Sequence, residues 1–236
     1  MQGAADFLGS RRSSENVVLI EKYSIPMTEG KLKCLTPATW LNDEVINFYM
    51  CMLQEKDDIL CARNPDRKPS HFFNLYFMSK LLEGNRYTYK NVKRWTKKFD
   101  IFSKDKVFFP VNISNTHWTM CVIHMTEKRI QYYDSMSGAG KVHLDALLRY
   151  LQDEHVDKKQ TAMPGVDEWV LTTCIRNETP QQFNGYDCGL FTILFADFLS
   201  ENLPLSFDQQ HIPTFRTKIC GSIMEGKLWY CEDIFP

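Results

Sequence analysis

The spacing of hydrophobic positions switches between two periods along the chain. Val45, Ile46, Tyr49, Met52 and Leu53 recur at helical spacing and predict an amphipathic helix. Asn42 or Asp43 can cap its start, with Glu44 in the first turn. Just upstream, Thr36-Pro37 has the form of an N-cap followed by proline at the first helical position. Val92, Trp95 and Phe99 predict a short basic helix. Between 106 and 134 the period falls to two. KVFFPVNI (106–113), HWTMCVIHM (117–125) and RIQYYD (129–134) are rich in β-branched and aromatic residues, and turn-like SNT and TEK separate them. These are the marks of adjacent strands. Helical spacing resumes at Leu144, Leu147, Leu148 and Leu151. CGLFTILFADFL (188–199) is apolar on nearly every side and predicts a buried central helix. Ser206 with Gln209 offers a capping box, and Pro213 the start of a further helix. Helices flanking a central group of strands make the class α+β.

The one loop-rich insertion is 62–70, and there is no internal repeat or low-complexity linker. A single domain over 17–236 is expected. Residues 1–16 are polar, basic and aperiodic, and are read as a flexible tail or the remnant of a longer N-terminal region. A chain of 236 residues buries roughly 70–75% of its unfolded surface, so it needs no covalent staples.

Charge narrows the function classes. Lys and Arg number 28 against 29 Asp and Glu, a balance that argues against a general nucleic-acid or membrane-surface binder. Residues 86–98 hold six basic residues and three aromatics, but the apolar spacing accounts for Trp95 as a core anchor and leaves a solvated basic face. The longest apolar run, 188–199, is interrupted by Thr192 and Asp197 and is too short to span a membrane. The first residues lack a signal peptide's apolar core. Eight irregularly spaced cysteines (Cys34, Cys51, Cys61, Cys121, Cys174, Cys188, Cys220 and Cys231) form no CxxC pair. They are expected to be reduced thiols of an intracellular protein, most of them small buried hydrophobes.

Cys188 stands apart. Asn184-Gly185 signals a tight turn, Asp187-Cys188-Gly189 follows, and then the apolar helix begins. A thiol at a helix start faces unsatisfied N–H groups and the positive end of the dipole, which favour the thiolate. Gly189 is expected to leave room for a substrate backbone. A nucleophilic cysteine needs a base and an orienter. His117 opens the second predicted strand and Asp134 closes the third, so an antiparallel pair brings them together. Asp134 would then hold one ring nitrogen while the other faces the thiol. Taken alone, Asp134 reads more simply as a turn-starting residue. Gln182, six residues before Cys188, can add an amide N–H to the Cys188 backbone N–H in an oxyanion hole. A zinc site from His117, Cys121 and His124 is disfavoured, because strand spacing sends the three to different faces and no fourth ligand is near.

These motifs, in this order, resemble the catalytic domain of the SUMO-specific cysteine proteases, the Ulp/sentrin-protease family. The carrying segments are WLNDEVINFYM (40–50), VKRWTKKFDIF (92–102), HWTMCVI (117–123), YYDSM (132–136), PQQFNGYDCGLF (180–191) and QQHIPTFR (209–216). The resemblance implies a papain-like α+β fold, a central mixed sheet flanked by helices with the catalytic cysteine at the N-terminus of a buried one. It implies His117 as general base, Asp134 as orienter, Cys188 as nucleophile and Gln182 as oxyanion donor. It adds Trp40 and Trp118 as walls of a narrow tunnel over a Gly-Gly tail, and Asp43 as a contact to a basic residue on the modifier. Tyr186 departs from the serine that many members carry there, a difference at the rim of the site and outside the triad.

The implied reaction is hydrolysis after the terminal glycine of SUMO, in precursors and in isopeptide conjugates, without cofactor or metal. The implied partners are SUMO precursor and SUMO-conjugated proteins, with no nucleic acid. The catalytic domain is expected to be monomeric, in the nucleus or nuclear envelope with some in the cytoplasm. Three rivals follow from the same residues. A deneddylase is the nearest, although segments 40–49 and 92–98 favour the SUMO branch. An acetyltransferase on the same nucleophile would need an acetyl-CoA site, for which no basic pocket signature is present. A catalytically dead SUMO-binding module is opposed by the intact His117, Asp134, Gln182 and Cys188.

Overall fold

The computed structural model describes residues 2–10 and 14–228. In chain order the elements are α1 (Gln2–Gly9), β1 (Val18–Lys22), β2 (Ile25–Thr28), α2 (Glu29–Leu32), α3 (Asp43–Arg63), β3 (His71–Phe72), α4 (Tyr76–Leu81), β4 (Lys106–Ile113), β5 (His117–His124), β6 (Arg129–Tyr133), α5 (Lys141–Lys159), β7 (Val170–Thr172), α6 (Cys188–Ser200) and α7 (Ile212–Glu225). β1 and β2 form a separate hairpin, and the other strands form one sheet in the order β3-β4-β5-β6-β7. Its centre is antiparallel, and the short edge strands β3 and β7 pair in parallel, so the sheet is mixed.

The alternation of strand side chains divides the interior in two. Phe108, Trp118, Met120, Val122 and Tyr133 face a core shared with α3, α6 and α7. Val107, Phe109, Val111, Cys121, Ile123, Ile130 and Tyr132 face a second core with α4 and α5. Covering both faces explains why these strands, expected to alternate with period two, are instead buried at nearly every position. α6 is buried on almost every side. Its one charge, Asp197, is met by Lys56 Nζ and Tyr49 Oη, each at 2.8 Å, both from α3. Among the described residues no helix is long and apolar enough to cross a membrane.

Several expectations need correction. Residues 2–9 are not a tail: they form α1, with Ala4 buried and Phe7 and Leu8 half-buried against the core. α1 packs on α7, with Ala4 lying near Gly221. Four apolar residues, two of them alanine, in two turns are too few to show a clear period. Thr36 starts no helix; it ends the 3₁₀ turn Lys33–Leu35, and its hydroxyl bonds back to the Lys33 carbonyl at 2.8 Å. Residues 92–99 run as tight turns with i→i−3 bonds, such as Trp95 N–H to the Val92 carbonyl, rather than as a helix. Their basic side chains are exposed and Trp95 is half-buried against Phe77. The capping box before α7 is Asp208 with His211, not Ser206 with Gln209. The seven described cysteines form no disulfide, and Cys231 lies outside the described residues.

Candidate active site

The turn after β4 decides where His117 falls. Ser114 and Asn115 both take positive φ, 52° and 56°, the pairing whose twist suits a hairpin. Thr116 N–H closes on the Ile113 carbonyl at 2.9 Å, and Ile113 pairs with His117. His117 is therefore the first residue of β5. β6 runs antiparallel to β5 with Met120 opposite Tyr133, so the residue after Tyr133 arrives beside the start of β5. His117 Nε2 and Asp134 Oδ1 lie 2.7 Å apart. The buried Asp134 carboxylate also accepts from Met136 N–H at 2.7 Å and Gly138 N–H at 3.0 Å. Gly138 is needed for that approach, since a Cβ there would overlap Asp134 Oδ2.

Cys188 is the first residue of α6, with 2% of its surface exposed. The same imidazole also feels Cys188, and with Nε2 committed to Asp134 its Nδ1 is the nitrogen left for the sulfur. Burial pulls the His117 pKa down. Its interactions with the Asp134 carboxylate and with Cys188 outweigh burial, and the pKa is raised to about 9.

The segment leading to Cys188 is irregular and held by side chains. Asn184 Oδ1 accepts from Tyr186 N–H and Asp187 N–H, both at 3.1 Å. Asp187 Oδ2 accepts from Asn184 Nδ2 and Gln209 Nε2, each at 2.7 Å. Asp187 Oδ1 meets Arg216 Nη2 at 2.6 Å, a pair whose side chains are 3% and 4% exposed. The Arg216 guanidinium also donates to the carbonyls of Cys34, Thr36 and Thr39. One buried cation thus ties the strand of chain leading to Trp40 to the residue before Cys188. Nothing in the spacing of the sequence marks Arg216, which sits between Phe215 and the apolar positions of α7.

Gln182 is 8% exposed and lies on the loop before Cys188. Gly189 does not open a path for substrate: a Cβ there would come within 2.8 Å of the Leu41 side chain, so the space serves packing. Trp118 Nε1 donates to the Leu41 carbonyl at 3.1 Å, which fixes the residue next to Trp40. The two tryptophans differ: Trp118 is 5% exposed and Trp40 46%. Asp43 is half-buried at the start of α3, and its pKa is raised by burial and by the adjacent Glu44. It lines a groove of about 600 Å³ with Tyr76, Asn112, Asn115 and His143; neither Trp40 nor Cys188 lines that groove.

The model of the Ulp1 protease family, C-terminal catalytic domain, matches residues 39–226, and this chain belongs to that family. It is 38% identical over 222 residues to a putative ubiquitin-like-specific protease 1B of Arabidopsis thaliana, across 91% of this chain and 63% of that protein. It is 36% identical over 211 residues to sentrin-specific protease 2 of Mus musculus, across 89% of this chain and 34% of that one. The chain thus spans less than two thirds of the length of these curated relatives. A solved structure of the C-terminal Ulp1 protease domain in complex with Smt3, the yeast ortholog of SUMO, matches with a TM-score of 0.75 and 29% identity. The match covers 95% of this chain and 93% of that one. The papain-like α+β expectation agrees with this likeness and with the mixed five-stranded sheet.

Proposed function

We propose that this chain is the catalytic domain of a SUMO-specific cysteine protease, acting through Cys188, His117 and Asp134. The carrying observation is an imidazole that bonds the buried Asp134 carboxylate and has its pKa raised by that carboxylate and by Cys188, at the start of α6. Cys188 attacks the carbonyl of the terminal glycine, and the new oxyanion is received by the Cys188 backbone N–H and the Gln182 amide. His117, held protonated by Asp134, gives its proton to the departing amine as the C–N bond breaks. A water then loses a proton to His117, adds to the thioester, and frees the glycine carboxylate and the thiol. The same steps serve a precursor peptide bond and an isopeptide to lysine. Trp40 would lie over the Gly-Gly tail, with Trp118 holding its loop from beneath, and Asp43 would meet a basic residue of the modifier. The Smt3 complex of a relative supports the choice of modifier, and a location in the nucleus is part of the same proposal.

The test is a panel of vinyl-sulfone probes built on SUMO, NEDD8 and ubiquitin. Labelling of the parent by the SUMO probe alone, and none of Cys188→Ala, is the expected result. Preferential labelling by NEDD8 would transfer the reading to the deneddylase branch. Labelling that survives loss of Cys188 would remove the nucleophile assignment.

A further inference from the structure

We propose that Ser135 is the positioning residue that aims the Gln182 amide, an inference that rests on Gln182 being the oxyanion donor. A carboxamide is nearly symmetric in shape and opposite in polarity at its two ends. Its last torsion is broad, so rotamer preference does not decide which end faces the reacting carbonyl. Hydrogen-bond partners must decide it. Here Ser135 Oγ donates to Gln182 Oε1 at 2.6 Å. Gln182 Nε2 gives one hydrogen to the Asn184 carbonyl at 2.5 Å. With both in place the plane of the amide is set, Oε1 is occupied, and the second Nε2 hydrogen has one direction left. Ser135 is 1% exposed, so no solvent would take over its bond to Oε1. Without the hydroxyl, a buried Oε1 would lack a partner, and the amide would rotate to find one.

The placement also couples two parts of the chemistry. Ser135 follows Asp134, and its carbonyl accepts from Gln182 N–H at 2.9 Å. Two consecutive residues therefore set the imidazole and the amide in one register. The backbone tether does not depend on the Ser135 side chain, so Ser135→Ala removes the aiming contact and leaves the loop attached.

The experiment compares parent, Ser135→Ala, Gln182→Ala and the double variant in SUMO-precursor cleavage, with melting temperature and iodoacetamide alkylation of Cys188 measured beside it. Gln182→Ala should lower kcat about 10²–10³-fold, the range for one oxyanion donor. Ser135→Ala should lower kcat about 10-fold or more within that range, with KM nearly unchanged. In the Gln182→Ala background, Ser135→Ala should cost nothing further in kcat. Alkylation forms no oxyanion, so its rate should be the same in all four proteins. Ser135→Thr, which keeps the hydroxyl, should hold most of kcat. Equal losses from Ser135→Ala in both backgrounds, or a parental kcat in Ser135→Ala alone, would overturn the positioning role. An unchanged kcat in Gln182→Ala would overturn the oxyanion assignment, and the role of Ser135 with it.

Discussion

The two sides of the site are made by different means. His117 and Asp134 are placed by strand register: a closed turn, an antiparallel pair, and the residue that follows its end. Cys188 and Gln182 come from a segment with no ladder, held by Asn184, Asp187, Gln209, Ser135 and Arg216. Backbone bonds place the first side whatever its neighbouring side chains are. The second side depends on particular side chains, one of them 28 residues past Cys188 in α7. Substitutions of polar side chains away from the proposed reacting atoms should therefore be harsher on the Cys188 side.

The largest expected effect is at Cys188, the proposed nucleophile. Cys188→Ser should abolish turnover and leave SUMO binding, because a serine hydroxyl lacks the low pKa that makes a thiolate. A calorimetric titration beside a cleavage assay checks both halves. Next comes Arg216→Met, which leaves the Asp187 carboxylate buried without its cation. The expected cost is about 3–5 kcal/mol of stability, read from denaturant unfolding. Asp187→Asn added to Arg216→Met should recover part of it, since the stranded charge is gone. Equal stability of Arg216→Met and parent would mean that the ion pair does not hold the loop. On the hairpin side, Trp118→Ala should cost about as much, for a different reason: it empties a packed core position. This alters the tunnel expectation, because a Trp118 variant now loses stability whether or not it also guides substrate.

The same division explains what was legible in the sequence. The three central strands, α3, α5, α6 and the start of α7 were plain from period and capping signals. His117 and Asp134 followed from them, because a hairpin converts sequence spacing into proximity. β3 and β7, at two and three residues, are too short to show alternation. α1 and the β1–β2 hairpin carry no strong turn or cap signal. The turn before Cys188 was marked by Asn184-Gly185, but its supports were not. Arg216 reads as an ordinary polar residue in an amphipathic helix, and Ser135 as part of a turn. Their contacts are set by tertiary approach, which no local pattern encodes. Gly189 shows the opposite error: a glycine beside a nucleophile invites a functional reading, and Leu41 supplies a packing one.

The hairpin side should also show itself in pH. His117 titrates near 6.5 when unfolded and at about 9 in the fold. A raised folded pKa means that the stabilisation from the His117 cation is complete below about pH 6.5 and is lost as pH rises through about 9. Asp134→Asn removes the partner charge while keeping its shape, so the imidazole should titrate lower, toward or below its ordinary value, as burial then dominates. The C2-proton shift of His117 across pH 5–10 reads this directly. An unmoved titration in the Asn variant would mean that Cys188, not Asp134, holds the proton on the ring.

The smallest effect on the fold is expected at Trp40, the exposed partner of the buried Trp118. With 46% of its surface open, Trp40 contributes less packing than Trp118, and Trp40→Ala should cost clearly less stability than Trp118→Ala. Its loop remains fixed, because Arg216 holds the Thr39 carbonyl at 2.8 Å and Trp118 holds the Leu41 carbonyl at 3.1 Å. An indole displayed on a loop anchored at both sides has little entropy left to lose on meeting a ligand. It is a flat, rigid surface next to Leu41, which packs against Gly189 beside Cys188. A tail of two glycines can lie along such a surface, whereas a side chain in either position would lift the backbone away from the thiol. Trp40→Ala should therefore separate folding from function in a way that Trp118→Ala cannot: a smaller fall in melting temperature with a large loss of kcat/KM on SUMO precursor. A second substrate sharpens the test. Precursor whose penultimate glycine is alanine should be cleaved far more slowly than Gly-Gly by the parent, and the ratio should shrink in Trp40→Ala. If the ratio stays at its parental value, glycine selection resides elsewhere in the cleft and Trp40 is a surface residue without a part in it.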